Sequence, residues 1–176
     1  MTASAPQSRP THAALALALL LALALPAGCG GGPADGPARR SLPAVPVEDL
    51  ATRERVELSS LTPASRPVAL WLWGPGCAIC RGDATAVDRF AARERARVTV
   101  VGLGSHGSPE SAPRFVREHD LSSMRVLWDQ RSLAWDRLLV PAEPVTIVLD
   151  RSGQEVERWF GPFDEGRVLR AAGGAS

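Results

Sequence analysis

The stretch that decides the fold is Val68-Ala-Leu-Trp-Leu-Trp-Gly-Pro-Gly-Cys-Ala-Ile-Cys80. Its first six residues are continuously apolar and bounded by Pro67 and Gly74, the pattern of a short strand buried on both faces. Gly74-Pro75-Gly76 then reads as a sharp turn, and two cysteines with two residues between them follow it. From Cys77 to Arg97, Ile79, Val87, Phe90 and Ala91 recur at helical spacing among Arg89, Arg93, Glu94 and Arg95, which predicts a helix with one wet face. Strand, turn and helix together put Cys77 where a helix begins.

Such a pair can serve several chemistries. Haem attachment is excluded, because it requires histidine directly after the second cysteine and Arg81 stands there. Structural zinc is disfavoured: beyond this pair the chain has only Cys29 and three scattered histidines at 12, 106 and 119. A structural staple closing so short a loop would constrain little of the unfolded chain. Redox chemistry needs what the stretch provides. At a helix start, unpaired backbone N–H groups and the helix dipole favour thiolate over thiol, which marks Cys77 as the nucleophile. Cys80 lies one turn on, along the same face, and can attack the mixed disulfide that Cys77 would make with a substrate.

Outward from this stretch, Val45 to Leu61 predicts an irregular lead-in with one or two short strands, and Arg97 to Leu103 a second firm strand. Ser108-Pro109-Glu110 opens a helix running to His119. Met124 to Leu127 reads as a short strand and Ser132 to Leu139 as a short helix. Val145 to Leu149 and Val156 to Phe160, joined by the turn Asp150-Arg-Ser-Gly153, form a hairpin, and Pro162 to Ala172 closes the domain as a helix. The alternation of strand and helix is that of an α/β sheet. His106 and His119 are expected in a loop and at a helix end, without chemistry.

On these residues the chain resembles the thioredoxin superfamily, and within it the membrane-anchored extracytoplasmic thiol-disulfide oxidoreductases of the TlpA/ResA type. Trp73 stands four before the first cysteine, where the family pattern Phe-Trp-Ala-x-Trp-Cys-x-x-Cys has its first tryptophan. Asp83 stands three after the second cysteine, where this branch commonly has glutamate. Pro144-Val-Thr-Ile-Val-Leu-Asp150 is similar to the family's strand beginning with a cis-proline that faces the cysteines. The resemblance implies a central mixed sheet with helices on both faces, a Cys77–Cys80 dithiol-disulfide couple as the only redox centre with no bound cofactor, Asp83 as proton acceptor for Cys80, and Trp73 as core support. Glu143, just before the proline, would place a negative charge near Cys77 and select basic partners.

The departures lie on the substrate-facing rim. Gly76 replaces the tryptophan that the family has before the nucleophile, and Gly74-Pro75 replaces its Ala-x. Ala78-Ile79 between the cysteines lacks the histidine of strong disulfide oxidants, which leans towards a reducing or intermediate couple.

The N-terminus addresses location. Arg9 and His12 precede an uninterrupted Ala/Leu run from Ala13 to Leu25, too short to span a bilayer, where about 20 residues are needed. Leu25-Pro-Ala-Gly-Cys29 resembles a bacterial lipoprotein box with Pro26 as its departure, which implies residues 1–28 as a signal peptide and lipid on Cys29. That leaves Cys77 and Cys80 as a pair. Residues 29–43, rich in glycine and proline, read as a flexible tether, and 44–173 as the folded domain.

A chain of 176 residues has room for one such domain, and a net charge of +1 with 22% charged residues advertises no nucleic-acid surface. The expected function is a lipid-anchored reductase of disulfides in exported proteins, fed by a membrane thiol-electron transporter as the resemblance implies; relatives of this kind often serve cytochrome c maturation. A thiol peroxidase would want threonine in the turn before Cys77, and copper(I) carriers of this fold separate their cysteines by three residues. A redox-silent binding module is the remaining alternative.

Overall fold

The computed structural model describes residues 40–174. The expected leader and Cys29 lie outside them. The elements are β1 (Pro46–Asp49), β2 (Arg55–Glu57), a 3-10 turn (Leu58–Leu61), β3 (Val68–Trp73), α1 (Ala78–Glu94), β4 (Thr99–Gly104), α2 (Ser111–Glu118), β5 (Arg125–Trp128), α3 (Leu133–Arg137), β6 (Val145–Leu149), β7 (Glu155–Phe160) and α4 (Glu165–Gly174). The strands form one mixed sheet in the order β2-β1-β5-β4-β3-β6-β7. β3, β4 and β5 run parallel, while β6 is antiparallel to β3, β7 to β6 and β1 to β5.

All six residues of β3 are buried, as a strand covered on both faces must be. Alternation divides them between two cores. Ala69, Trp71 and Trp73 face a layer built from α1, α2 and α4 with Val87, Phe90, Phe115 and Val168. Val68, Leu70 and Leu72 face Leu58, Trp135, Leu138 and the lead-in. Helices thus cover both faces, in agreement with the expected α/β class.

The folded part starts earlier than the expected residue 44. Leu42 is buried in the second core, and the Glu155 N–H donates to the Arg40 carbonyl at 2.8 Å. A single leucine among arginine, serine and proline carries no periodic signal, so the tether assignment ran four residues too far. The helix expected from Pro109 starts at Ser111, and that expected from Pro162 starts at Glu165.

Candidate active site

Sheet register brings three loops together. Gly104 pairs with Trp73 and Val145 with Leu72, so the chain leaving β3, the chain leaving β4 and the chain entering β6 all meet at one end of the sheet. These carry Gly74 to Cys77, Ser105 to Gly107, and Glu143-Pro144. The Ser105 N–H donates to the Trp73 carbonyl at 3.1 Å, tying the first two loops.

Cys77 is the N-cap of α1, a helix of 17 residues, with extended backbone angles. Its N–H donates to the Gly74 carbonyl at 3.1 Å, closing the turn, and its Sγ accepts the Cys80 N–H at 3.0 Å. That bond uses one of the free N–H groups of a helix start and is of the kind that stabilises negative charge on sulfur. Cys77 and Cys80 are joined in a disulfide, their Cα atoms 5.2 Å apart. Cys77 is half-buried and Cys80 fully buried, so one sulfur faces outward and the other inward. Arg81 Nη1 donates to the carbonyls of Pro75 and Gly76, both at 3.2 Å, and clamps the turn from the helix side.

The Glu143–Pro144 peptide is cis, and Pro144 is buried, its carbonyl accepting the Gly161 N–H at 2.9 Å. Glu143 folds over the turn: its Oε1 lies where a Cβ at Gly74 would come within 2.5 Å, and its Oε2 is 3.3 Å from His106 Nδ1. Asp83 is half-buried one turn beyond Cys80. Its Oδ2 accepts the Phe163 N–H at 2.9 Å, which holds the chain entering α4; it makes no hydrogen bond to either sulfur.

Trp73 is fully buried beneath the turn, stacked on Phe115 with centroids 4.2 Å apart. Its ring explains a glycine in β4: a Cβ at Gly104 would sit 2.6 Å from Trp73 Cζ2. Gly76 is the opposite case, exposed, with nothing within 4 Å of a Cβ placed there.

His106 is the residue that sequence reasoning dismissed. It has φ of 59°, packs edge-on against Trp135 with centroids 4.6 Å apart, and meets Glu143. No local signal marks it, because its partner lies 37 residues away and only the sheet register joins them. Ile79, between the cysteines, is 46% exposed, an apolar side chain on the same rim. Among the described residues no group of three or more histidine, cysteine, aspartate or glutamate side chains is placed to hold a metal ion. Nor is any helix of those residues long and apolar enough to cross a membrane.

A secreted Mycobacterium tuberculosis disulfide oxidoreductase homologous to E. coli DsbE superposes with a TM-score of 0.63 at 22% identity, covering 74% of this chain and 96% of that one. The fold is thioredoxin-like. A secreted thiol-disulfide isomerase of Corynebacterium glutamicum shares this thioredoxin-like fold with a TM-score of 0.65 at 26% identity, over 76% of this chain and 84% of its own. In sequence, the soluble secreted antigen MPT53 of Mycobacterium tuberculosis is 30% identical over 88 residues, which is 50% of each chain. This chain therefore spans about half the length of the curated relatives it matches. No protein-family model matches it. Thiol-disulfide oxidoreductases are thus among its homologues, and the Cys-x-x-Cys disulfide is present here at Cys77 and Cys80.

Proposed function

We propose that the chain is an extracytoplasmic thiol-disulfide oxidoreductase that reduces disulfides of exported proteins, with Cys77 as nucleophile and Cys80 as resolving thiol. The observation that carries this reading is the asymmetry of the pair: a half-buried cysteine at a helix N-cap, bonded to a fully buried one, at the end of the sheet where the chain enters β6 through a cis-proline. The secreted relatives support a location outside the cytoplasm. Lipid on Cys29 would anchor the domain to the membrane.

In the reduced protein, the Cys77 thiolate attacks one sulfur of a client disulfide, forming the Cys77–client bond as the client S–S bond breaks, and the displaced client thiolate takes a proton from solvent. Cys80 then passes its proton to Asp83, whose Oδ1 is not engaged by the Phe163 N–H, and attacks Cys77 Sγ. The second client sulfur leaves and is protonated. Two electrons have moved from the dithiol to the client, and the Cys77–Cys80 disulfide returns. A membrane thiol-electron transporter would restore the dithiol, because an exported domain cannot meet cytoplasmic reductants.

The test is the reduction potential of the pair in the full-length chain, equilibrated in dithiothreitol and glutathione buffers. A value of about −270 mV, or somewhat higher, supports a reductase, whereas one of about −120 mV would make it a disulfide donor. A pair that resists exchange would be a staple, and the catalytic reading would fall.

A further inference from the structure

Three rim features that are separate in the sequence are one arrangement in space. Gly74 stands where the thioredoxin-like pattern has alanine, Gly76 where it has tryptophan, and Glu143 precedes the cis-proline. The carboxylate of Glu143 occupies the space that an alanine Cβ at position 74 would need, since that Cβ would lie 2.5 Å from Oε1 and 3.1 Å from Cδ. Glycine at 74 is thus what lets the acid lie over the turn. Glycine at 76 stands where the family pattern has an aromatic ring before the nucleophile, and no described atom lies within 4 Å of a Cβ placed there.

The acid is held but not satisfied. A carboxylate has about four acceptor sites. Glu143 uses one of them, on His106 Nδ1 at 3.3 Å, a long contact, and among the described residues no arginine pairs with it. Because a carboxylate only accepts, Nδ1 is the nitrogen that carries the hydrogen. His106 is itself fixed by Trp135 and by the loop from β4, where a Cβ at Gly107 would meet Pro75 Cγ at 3.0 Å. The side chain of Glu143 is 22% exposed, enough to be reached from outside. Arg81, the cation that clamps the turn, spends its Nη1 on the carbonyls of Pro75 and Gly76 and makes no ion pair among the described residues.

We propose that Gly74, Glu143 and His106 form a recognition site for a cationic side chain, arginine above all, flanking the reactive cysteine of the client. The inference rests on the oxidoreductase reading and names the class of client that it takes. A guanidinium would fill the unused acceptor sites of Glu143 with the geometry suited to a planar carboxylate. His106 is a positioning residue: it aims the carboxylate and does not touch the sulfur.

The experiment compares two otherwise identical glutathione-capped cysteine peptides, one with arginine and one with glutamate beside the cysteine, as substrates of the reduced full-length chain. Wild type is expected to favour the arginine peptide in kcat/KM by about 5- to 10-fold at low salt, with the ratio shrinking as salt rises. Glu143→Gln should bring the ratio to about one. His106→Ala should bring it to about two, and His106→Asn should restore most of it, because asparagine can donate to the carboxylate and accepts a positive φ. Equal rates on both peptides in wild type, or a preference unchanged in Glu143→Gln, would overturn the site while leaving the oxidoreductase reading intact. If neither peptide is reduced, the oxidoreductase reading falls. The site is then judged by binding of the same peptides with serine for cysteine: tighter binding of the arginine form, lost in Glu143→Gln, upholds it, and equal binding overturns it.

Discussion

The floor and the rim of the candidate site are built on opposite terms. Beneath the turn, Trp73, Phe115 and Trp128 pack with no exposure beyond 2%, and glycines at 102 and 104 exist to admit the Trp73 ring. Above it, Gly76 faces open space, Ile79 is 46% exposed, and a carboxylate rests on the turn with an unfilled set of acceptor sites. The floor fixes where Cys77 stands, since any change there must move rings and backbone. The rim decides what can approach, since side chains there can change without disturbing the core.

The largest effect that would break this contrast concerns the two sulfurs. Cys77→Ala should reduce disulfide-reductase turnover to background with the melting temperature of the reduced protein nearly unchanged. Cys80→Ala should instead accumulate a mixed disulfide on Cys77, visible by mass spectrometry, because the buried resolving thiol is gone. Equal trapping by either single cysteine would deny the asymmetry.

Next comes the pair of glycines. Gly104→Ala drives a methyl into Trp73 Cζ2 and Trp128 Cε3 and should cost about 2–3 kcal/mol in urea unfolding. Gly76→Ala, with nothing within 4 Å of the new carbon, should stay within about 0.5 kcal/mol. Similar costs at both positions would erase the distinction between floor and rim.

The smallest effect lies away from both regions and serves as their control. Burial of Asp49 pushes its carboxyl up, but the Arg125 guanidinium, at 2.7 Å, and the N–H groups of Ala51 and Thr52 outweigh it, and its pKa is lowered from 3.8. A depressed carboxylate contributes stability that is fully present above its unfolded value and is lost as pH falls through the folded one. Stability should therefore fall on acidification below about pH 4, and Asp49→Asn should flatten that part of the curve without altering turnover. An unchanged acid slope in Asp49→Asn would remove this assignment.

Much of the molecule was legible because its signals are local. The apolar run of β3, the turn at Gly74, the helix after Cys77, the hairpin at Asp150 and the burial of Trp73 each follow from neighbours within a few residues. Leu42 was missed because one apolar residue has no period. The resemblance points to Asp83 as a proton acceptor for Cys80, but that its Oδ2 also accepts the Phe163 N–H, 80 residues on, could not be read, since no pattern on its own helix announces that contact.

By itself, then, the sequence determined the order of elements, the helix start that carries Cys77, and the strand that follows Pro144, since patterning and turn chemistry act over short separations. Only the tertiary structure decided that His106 meets Glu143 and that Gly74 makes room for the acid. Those contacts depend on the lateral register of β4, β3 and β6, which sums weak preferences over the whole sheet and leaves no mark on any one segment.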